Sequence, residues 1–257
     1  LGKVFNDIQV ILFGLIWLRM ISFVFSSAFL GSPSVNIPVK ILFSVVLAFI
    51  VFPFAKPATY DNQALTDFLI IMAGREVLIG LLLGLLTRFF FFALSMSGEL
   101  ISLSIGLGSA QVYNPFMGQN GQVIEQFFSL TGTVVFLALN GHHMFVTALI
   151  QSFDVIPFAQ TTLNVGGLAE IAQTFQQIFE IMLKIAAPVV ATIFIVNLAM
   201  GIVGRAVPQL NILVSSFPVT ILLGITVLVI SLPLMGLEMN YLMEKTSDQL
   251  FKLMRSL

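Results

Sequence analysis

The sequence predicts an all-α, polytopic membrane protein with about six hydrophobic helical segments. Three observations carry that expectation. Of 257 residues, 58% are hydrophobic and only 9% are charged, with a mean hydropathy of +1.05. A soluble fold of this size has too little interior to hide that much apolar surface. The apolar residues fall in runs of span length, and Pro, Gly and short polar links punctuate them. The charges, 11 basic against 12 acidic for a net of -1, provide no basic field for nucleic acid. Cysteine is absent, which excludes disulfides, thiolate nucleophiles and cysteine-ligated metals.

The first run, Ile8 to Leu30, is long enough to cross a hydrocarbon core of about 30 Å. Further spans follow it and no small-residue cleavage site closes it, so it reads as a span and not as a removable leader. Arg19 lies inside. A lone Arg near a helix centre costs about 2.5–3.5 kcal/mol on insertion scales, so it is expected to face protein or a cavity. Gly31, Pro33 and Pro38 mark a turn, and the second run, Ile37 to Phe54, is short for a span. After a polar link comes the longest tract, Phe68 to Ile105, carrying Arg75, Glu76, Arg88 and Glu99. It is either two spans meeting near Thr87 and Arg88 or one helix projecting beyond the bilayer. Gly80 and Gly84 form a small-xxx-small pair suited to close approach by another helix. From Ser102 small residues fall on every second position, a period that disagrees with a helical face, so the helix is expected to end here.

The stretch Gly106 to Gln122 carries no charged residue, although it joins two apolar runs. It combines Gln111, Asn114, Gln119, Asn120 and Gln122 with Val112, Tyr113, Phe116 and Met117. Uncharged polar and bulky apolar side chains on irregular backbone suit a segment held inside protein or across a water-filled cavity, a candidate plug or constriction. A plain extramembrane connection is the alternative.

The next run, Ile124 to Ile150, is interrupted by Asn140, Gly141, His142 and His143. Adjacent histidines point about 100° apart on a helix, so they do not converge on one metal and are read as structural. In Leu168 to Val203, Glu180 and Lys184 are spaced i,i+4 and are expected to neutralise each other near a helix end, a proton relay being the alternative. Asn197, Gly201 and Gly204 share one face suited to close packing. Arg205 and Pro208 should end or kink the helix. The last apolar run, Leu210 to Leu234, contains Pro218, and an amphipathic tail follows from Leu237. Its stripe, Met239, Met243, Thr246, Leu250, Leu253 and Leu257, is expected to pack on a partner or the membrane surface, a solvated terminal helix being the alternative. No Walker A loop, HExxH, GxSxG or paired-carboxylate motif occurs, so neither an enzyme nor a cofactor or metal site is expected.

Several blocks together resemble the FliR family of the type III secretion export gate (FliR/SpaR/YscT-like). They are Gly98-Glu99-Leu100-Ile101, Gly106-Leu107, Asn140-Gly141-His142, Asn197-Leu198-Ala199-Met200-Gly201, Arg205, Pro208-Gln209-Leu210-Asn211-Ile212 and Phe217-Pro218. Asn114-Pro115 stands where the family commonly has Asp-Pro, and Ser216 where Gly commonly precedes Phe-Pro. The resemblance implies a single export-gate domain, with a FliP-like part over 1–150 and a FliQ-like hairpin and tail over 151–257. It also implies kinked hairpins assembling into a helical hetero-oligomer with FliP and FliQ, accompanied by FlhB and FlhA. That assembly would sit in the bacterial inner membrane at the flagellar basal body, partly outside the bilayer plane, and pass unfolded flagellar subunits. Gly106, Gly108, Val112, Tyr113, Asn114, Pro115, Phe116, Met117 and Gly118 would belong to the plug. Structural and interface roles would fall to Arg75, Glu76, Arg88, Glu99, Asn140, His142, Asn197, Gly201, Arg205, Pro208, Gln209 and Pro218. A competing reading is a secondary transporter with Arg19, Glu99 and Glu180 as an intramembrane ion path.

Overall fold

Proline, glycine and one asparagine decide where the helices start, stop and bend. The structure is a computed structural model that describes residues 7–28, 30–32, 35–54, 68–107, 123–157, 167–207, 209 and 212–256. Among these residues there are seven helices and no strand: α1 (Asp7–Ser26), α2 (Ile37–Val51), α3 (Leu69–Ile105), α4 (Val123–Ala138), α5 (Gly141–Val155), α6 (Gly167–Ala206) and α7 (Ile212–Ser256). Among the described residues four helices are long and apolar enough to cross a membrane, or five spans if α4 and α5 are taken as one broken crossing. At 15 residues, α2 falls short of a bilayer core.

α2 opens on extended Asn36 with Pro38 in its first turn, where the missing N–H is no loss. The long tract that allowed two spans is one helix of 37 residues. No proline interrupts it, and the helix runs on through Thr87, whose hydroxyl donates to the Gly84 carbonyl at 2.7 Å. α3 stops at Gly106, whose φ of +97° is open to glycine and strained for other residues. The interruption at Asn140 is a true break. Asn140 sits in the left-handed region (φ 56, ψ 31), which Asn tolerates better than most residues, and α4 and α5 meet there at 67°. Its carbonyl then accepts from His143 and Met144, restarting the helix.

α6 ends at Ala206, beside Arg205 as expected, and α7 starts beyond Pro208. α7 departs from the sequence reading: the last apolar run and the amphipathic tail form one helix of 45 residues, with Pro218 and Pro233 inside it. Nothing between Leu234 and Asn240 breaks the hydrogen-bond ladder. Met239, Met243, Thr246, Leu250 and Leu253 are buried, so the tail's stripe is covered by the chain itself and not by water, while Asp248, Lys252 and Arg255 stay exposed. Helices of 40 and 45 residues extend about 60 and 67 Å, twice what one crossing needs.

The chain forms two compact units. Unit one takes Leu1–Phe89, Asn140–Phe175 and Lys245–Leu257, and unit two takes Phe90–Leu139 and Gln176–Glu244. In unit one α1 lies against α3 at the glycine pair. A Cβ at Gly80 would collide with Ser22 and the Arg19 carbonyl, and one at Gly84 with Ser26 and the Phe23 carbonyl. Ser26 uses that proximity to donate to the Leu81 carbonyl at 2.9 Å. Trp17 Nε1 donates to Ser44 Oγ at 3.0 Å and ties α2 to α1. The core of unit two includes Phe90, Leu94, Ile101, Ile105, Phe128, Phe136 and Val189.

Candidate functional site

The uncharged stretch can be followed at its two stems. Gly106 and Leu107 are described, whereas Gly108, Val112, Tyr113, Asn114, Pro115, Phe116, Met117 and Gly118 lie outside the described residues. Both stems belong to unit two. On the outgoing side Ile105 is fully buried, and its carbonyl, one of the terminal acceptors a helix leaves open, accepts from Thr220 Oγ1 at 3.0 Å. Gly224 faces the Ile105 side chain so closely that any Cβ there would displace it. The Phe217 ring lies 3.1 Å from where a Cβ of Gly106 would stand. On the returning side the first turn of α4 meets α3 backbone to backbone, since a Cβ at Gly98 would lie 2.7 Å from Cα of Glu125. Thus the loop leaves and rejoins the fold at points where glycine permits contact closer than side chains allow.

In unit one the notable group is a buried charge network. Arg19 Nε donates to Glu76 Oε2 at 2.6 Å, and both side chains are fully buried. Arg19 Nη1 donates to the carbonyl and hydroxyl of Ser152, at 3.1 and 3.2 Å, and Nη2 to the Ile156 carbonyl at 3.1 Å. The guanidinium also lies 4.1 Å from the Phe153 ring centroid. Arg75 Nη1 lies 3.5 Å from the other Glu76 oxygen and donates to the Pro157 carbonyl at 3.0 Å. Three carbonyls at the end of α5 are thereby held by two arginines, and the positive charge faces the negative pole of that helix. Arg19, expected to face protein, does so.

The remaining predicted residues scatter. Arg88 is half-buried and reaches the Phe25 carbonyl at 3.3 Å. Glu99, Arg205, Asn197, Gly201, Gln209 and Pro218 are exposed on this chain, and Pro208 lies outside the described residues. A Cβ at Gly201 would touch nothing. His142 and His143 stack with ring centroids 4.2 Å apart, and His142 Nδ1 has no hydrogen-bond partner among the described residues. No group of three potential ligands gathers there or elsewhere among those residues. Glu180 and Lys184 pair at 2.7 Å, but in the interior of α6 and not near its end, because α6 extends well to either side. Lys40 was not singled out by the sequence pattern. It is buried and donates to the Gly31 carbonyl at 3.0 Å. Its position in a Pro-initiated apolar run was the available signal.

Fold and site together define a polytopic, all-helical membrane protein whose buried polar groups join helices and whose uncharged loop is anchored at both stems. The sequence profile described as "Bacterial export proteins, family 1" matches residues 10–246, and the chain belongs to that family. Its relatives include the flagellar biosynthetic protein FliR of Aquifex aeolicus, 31% identical over 240 residues that cover 93% of this chain and 92% of that protein. FliR of Bacillus subtilis is 32% identical over 222 residues, 85% of either chain. FliR of Escherichia coli K12 is 29% identical over 219 residues, 85% of this chain and 83% of that protein.

Proposed function

We propose that the chain is a core, non-enzymatic subunit of the flagellar type III protein export gate, in the inner membrane at the basal body. It assembles with FliP and FliQ into the channel for unfolded flagellar subunits, with FlhB and FlhA as further partners. The observation that carries this is the family match over residues 10–246, with FliR proteins aligned along nearly the whole chain. In this reading residues 1–150 are the FliP-like part and 151–257 the FliQ-like part. The loop from Gly106 to Gln122 acts as the lumen plug. Val112, Tyr113, Phe116 and Met117 make a contact without charge, which excludes ions yet yields to a passing polypeptide, and Gly106, Gly108 and Gly118 supply the freedom to move. The close contacts at both stems support this, because a loop that seals needs fixed ends. Asn197, Gly201, Arg205 and Glu99, exposed on this chain, are assigned to partner subunits.

The transporter reading gains nothing from the geometry. Every guanidinium nitrogen of Arg19 donates within unit one, and Glu180 is already paired with Lys184. Deleting Val112 to Gln119 tests the gate. The expected result is an assembled complex on native gels that leaks ions. An assembled, exporting and ion-tight complex would reduce the loop to a connector.

A further inference from the structure

We infer that α2 faces the hydrocarbon core of the bilayer through Val39, Leu42, Val46, Phe49 and Ile50, so that unit one keeps part of the chain in direct contact with lipid. The inference needs only a membrane-embedded chain and does not rest on the gate reading above. Those five residues are exposed and, at helical spacing, fall within about 100° of one another around α2.

The polarity of α2 is inverted relative to a helix on the surface of a soluble protein. Between Ile37 and Val51 its only polar side chains are Lys40 and Ser44, and both are buried on the opposite face with Leu47 and Val51. Each is satisfied there. Lys40 Nζ donates to the Gly31 carbonyl at 3.0 Å and lies 5.5 Å from the Phe25 ring centroid. Ser44 Oγ donates to the Ile41 carbonyl at 2.7 Å and accepts from Trp17 Nε1 at 3.0 Å. Against water this arrangement is unfavourable twice over, because each bare Leu, Ile or Phe forgoes about 1.5–3 kcal/mol and an ammonium is better solvated outside. A hydrocarbon exterior reverses both preferences, since it accepts the apolar face and offers no partner to a polar group. At 15 residues, about 22 Å, α2 is too short to be read as a crossing, and the placement of its polar groups identifies its surroundings where length does not.

A covering protein subunit is the other apolar occupant, and α6 shows the face that suits one. There exposed Phe194, Ile195 and Ile202 are interspersed with exposed Asn197 and Arg205, which need polar partners. The face of α2 carries no such group. From Leu69 to Thr87, α3 repeats the α2 pattern within the same unit: Ile70, Ile71, Leu78 and Leu81 are exposed, while Arg75, Glu76 and Thr87 are buried. A second helix of unit one thus turns its polar side chains inward and its apolar ones out.

The test places photoreactive p-benzoylphenylalanine singly at Leu42, Val46 or Ile50 of the full chain, in cells that assemble the export complex. After irradiation, mass spectrometry should show the chain heavier by one phospholipid, and gels should show no protein adduct. The same probe at Ile202 should give a protein adduct. A protein adduct as the main product at the three α2 positions overturns the inference and gives the face to a partner subunit. Absence of both adducts there, with Ile202 reacting, also overturns it, because the face then meets water. If one position blocks assembly, the other two decide. Lipid adducts at Ile202 as well as on α2 support the inference and remove the partner reading of unit two, so the two can fail separately.

Discussion

The two units of this chain treat charge in opposite ways. In unit one the cations Arg19, Lys40, Arg75 and Arg88 each reach a carbonyl at or just past the end of a helix: Ser152 and Ile156, Gly31, Pro157, and Phe25 respectively. Carbonyls at a helix end run short of backbone donors and sit at the negative pole, so each cation supplies a donor where an apolar environment would offer no water; the Ser152 carbonyl accepts from the Ile156 N–H as well. In unit two Glu99, Glu180, Lys184 and Arg205 are exposed. They share their helices with exposed Phe92, Leu103, Phe194, Ile195 and Ile202. Charge beside bare apolar surface suits neither lipid nor water, which supports partner subunits covering unit two. Unit one turns these four cations onto its own backbone, although Asp248, Lys252 and Arg255 of its last segment stay exposed, and unit two keeps the four charges named at its surface.

The strongest way to break this contrast is to attack the network in unit one. Arg19→Ala leaves Glu76 without its closest partner and removes the guanidinium donors from the Ser152 and Ile156 carbonyls, so it should destabilise the chain by roughly 3–5 kcal/mol. Loss of the protein from membranes, or a lowered melting temperature of the purified chain, would register this. Arg19→Lys should recover little, since one ammonium cannot span acceptors that three guanidinium nitrogens reach. A stable Arg19→Ala chain would mean that water enters unit one and that its charges are not internally satisfied.

Glycines sharpen the comparison with a smaller effect. Gly84→Leu must push apart α1 and α3 and should destabilise unit one by about 1–3 kcal/mol. Gly201→Leu points into open space on this chain and should leave its melting temperature unchanged while weakening recovery of the partner subunits proposed above. Equal losses of stability from both substitutions would erase the distinction between the units.

Much of this was legible in the sequence where a single residue type dictates local geometry. The alternating small residues from Ser102 and the block Asn140 to His143 announced a helix end and an interruption, which the structure places at Gly106 and Asn140 with positive φ, and Gly80 with Gly84 marked a close approach because no side chain stands between backbones. What stayed hidden is pairing across distance. Burial of Arg19 followed from its cost in an apolar run, but nothing local chooses Glu76, 57 positions away, among 12 acidic residues. The carbonyls it also holds carry no sequence signal at all, every residue having one. Phe217 was visible only as part of a family-like block, and its contact with Gly106 depends on how α7 lies against α3. Placing Glu180 and Lys184 near a helix end failed for a related reason: charge suggested a boundary, while α6 continues as one helix through the pair and through Pro188 beyond it.

That pair gives the smallest expected effect and the finest test of the contrast. Glu180 and Lys184 meet at 2.7 Å, as close as Arg19 and Glu76, yet both side chains are about half exposed. Equal geometry does not mean equal energy. In unit one the partners are shut away from water, and removing one strands the other, whereas an exposed i,i+4 pair competes with solvent and is screened by salt. Glu180→Gln should therefore leave the melting temperature of the purified chain unchanged at moderate salt, and the parent chain should not respond to added salt through this pair. If Glu180→Gln instead destabilises the assembled complex and not the isolated chain, the pair is covered when partners bind, and a surface charge in unit two gains by assembly the burial that Arg19 has within its own unit.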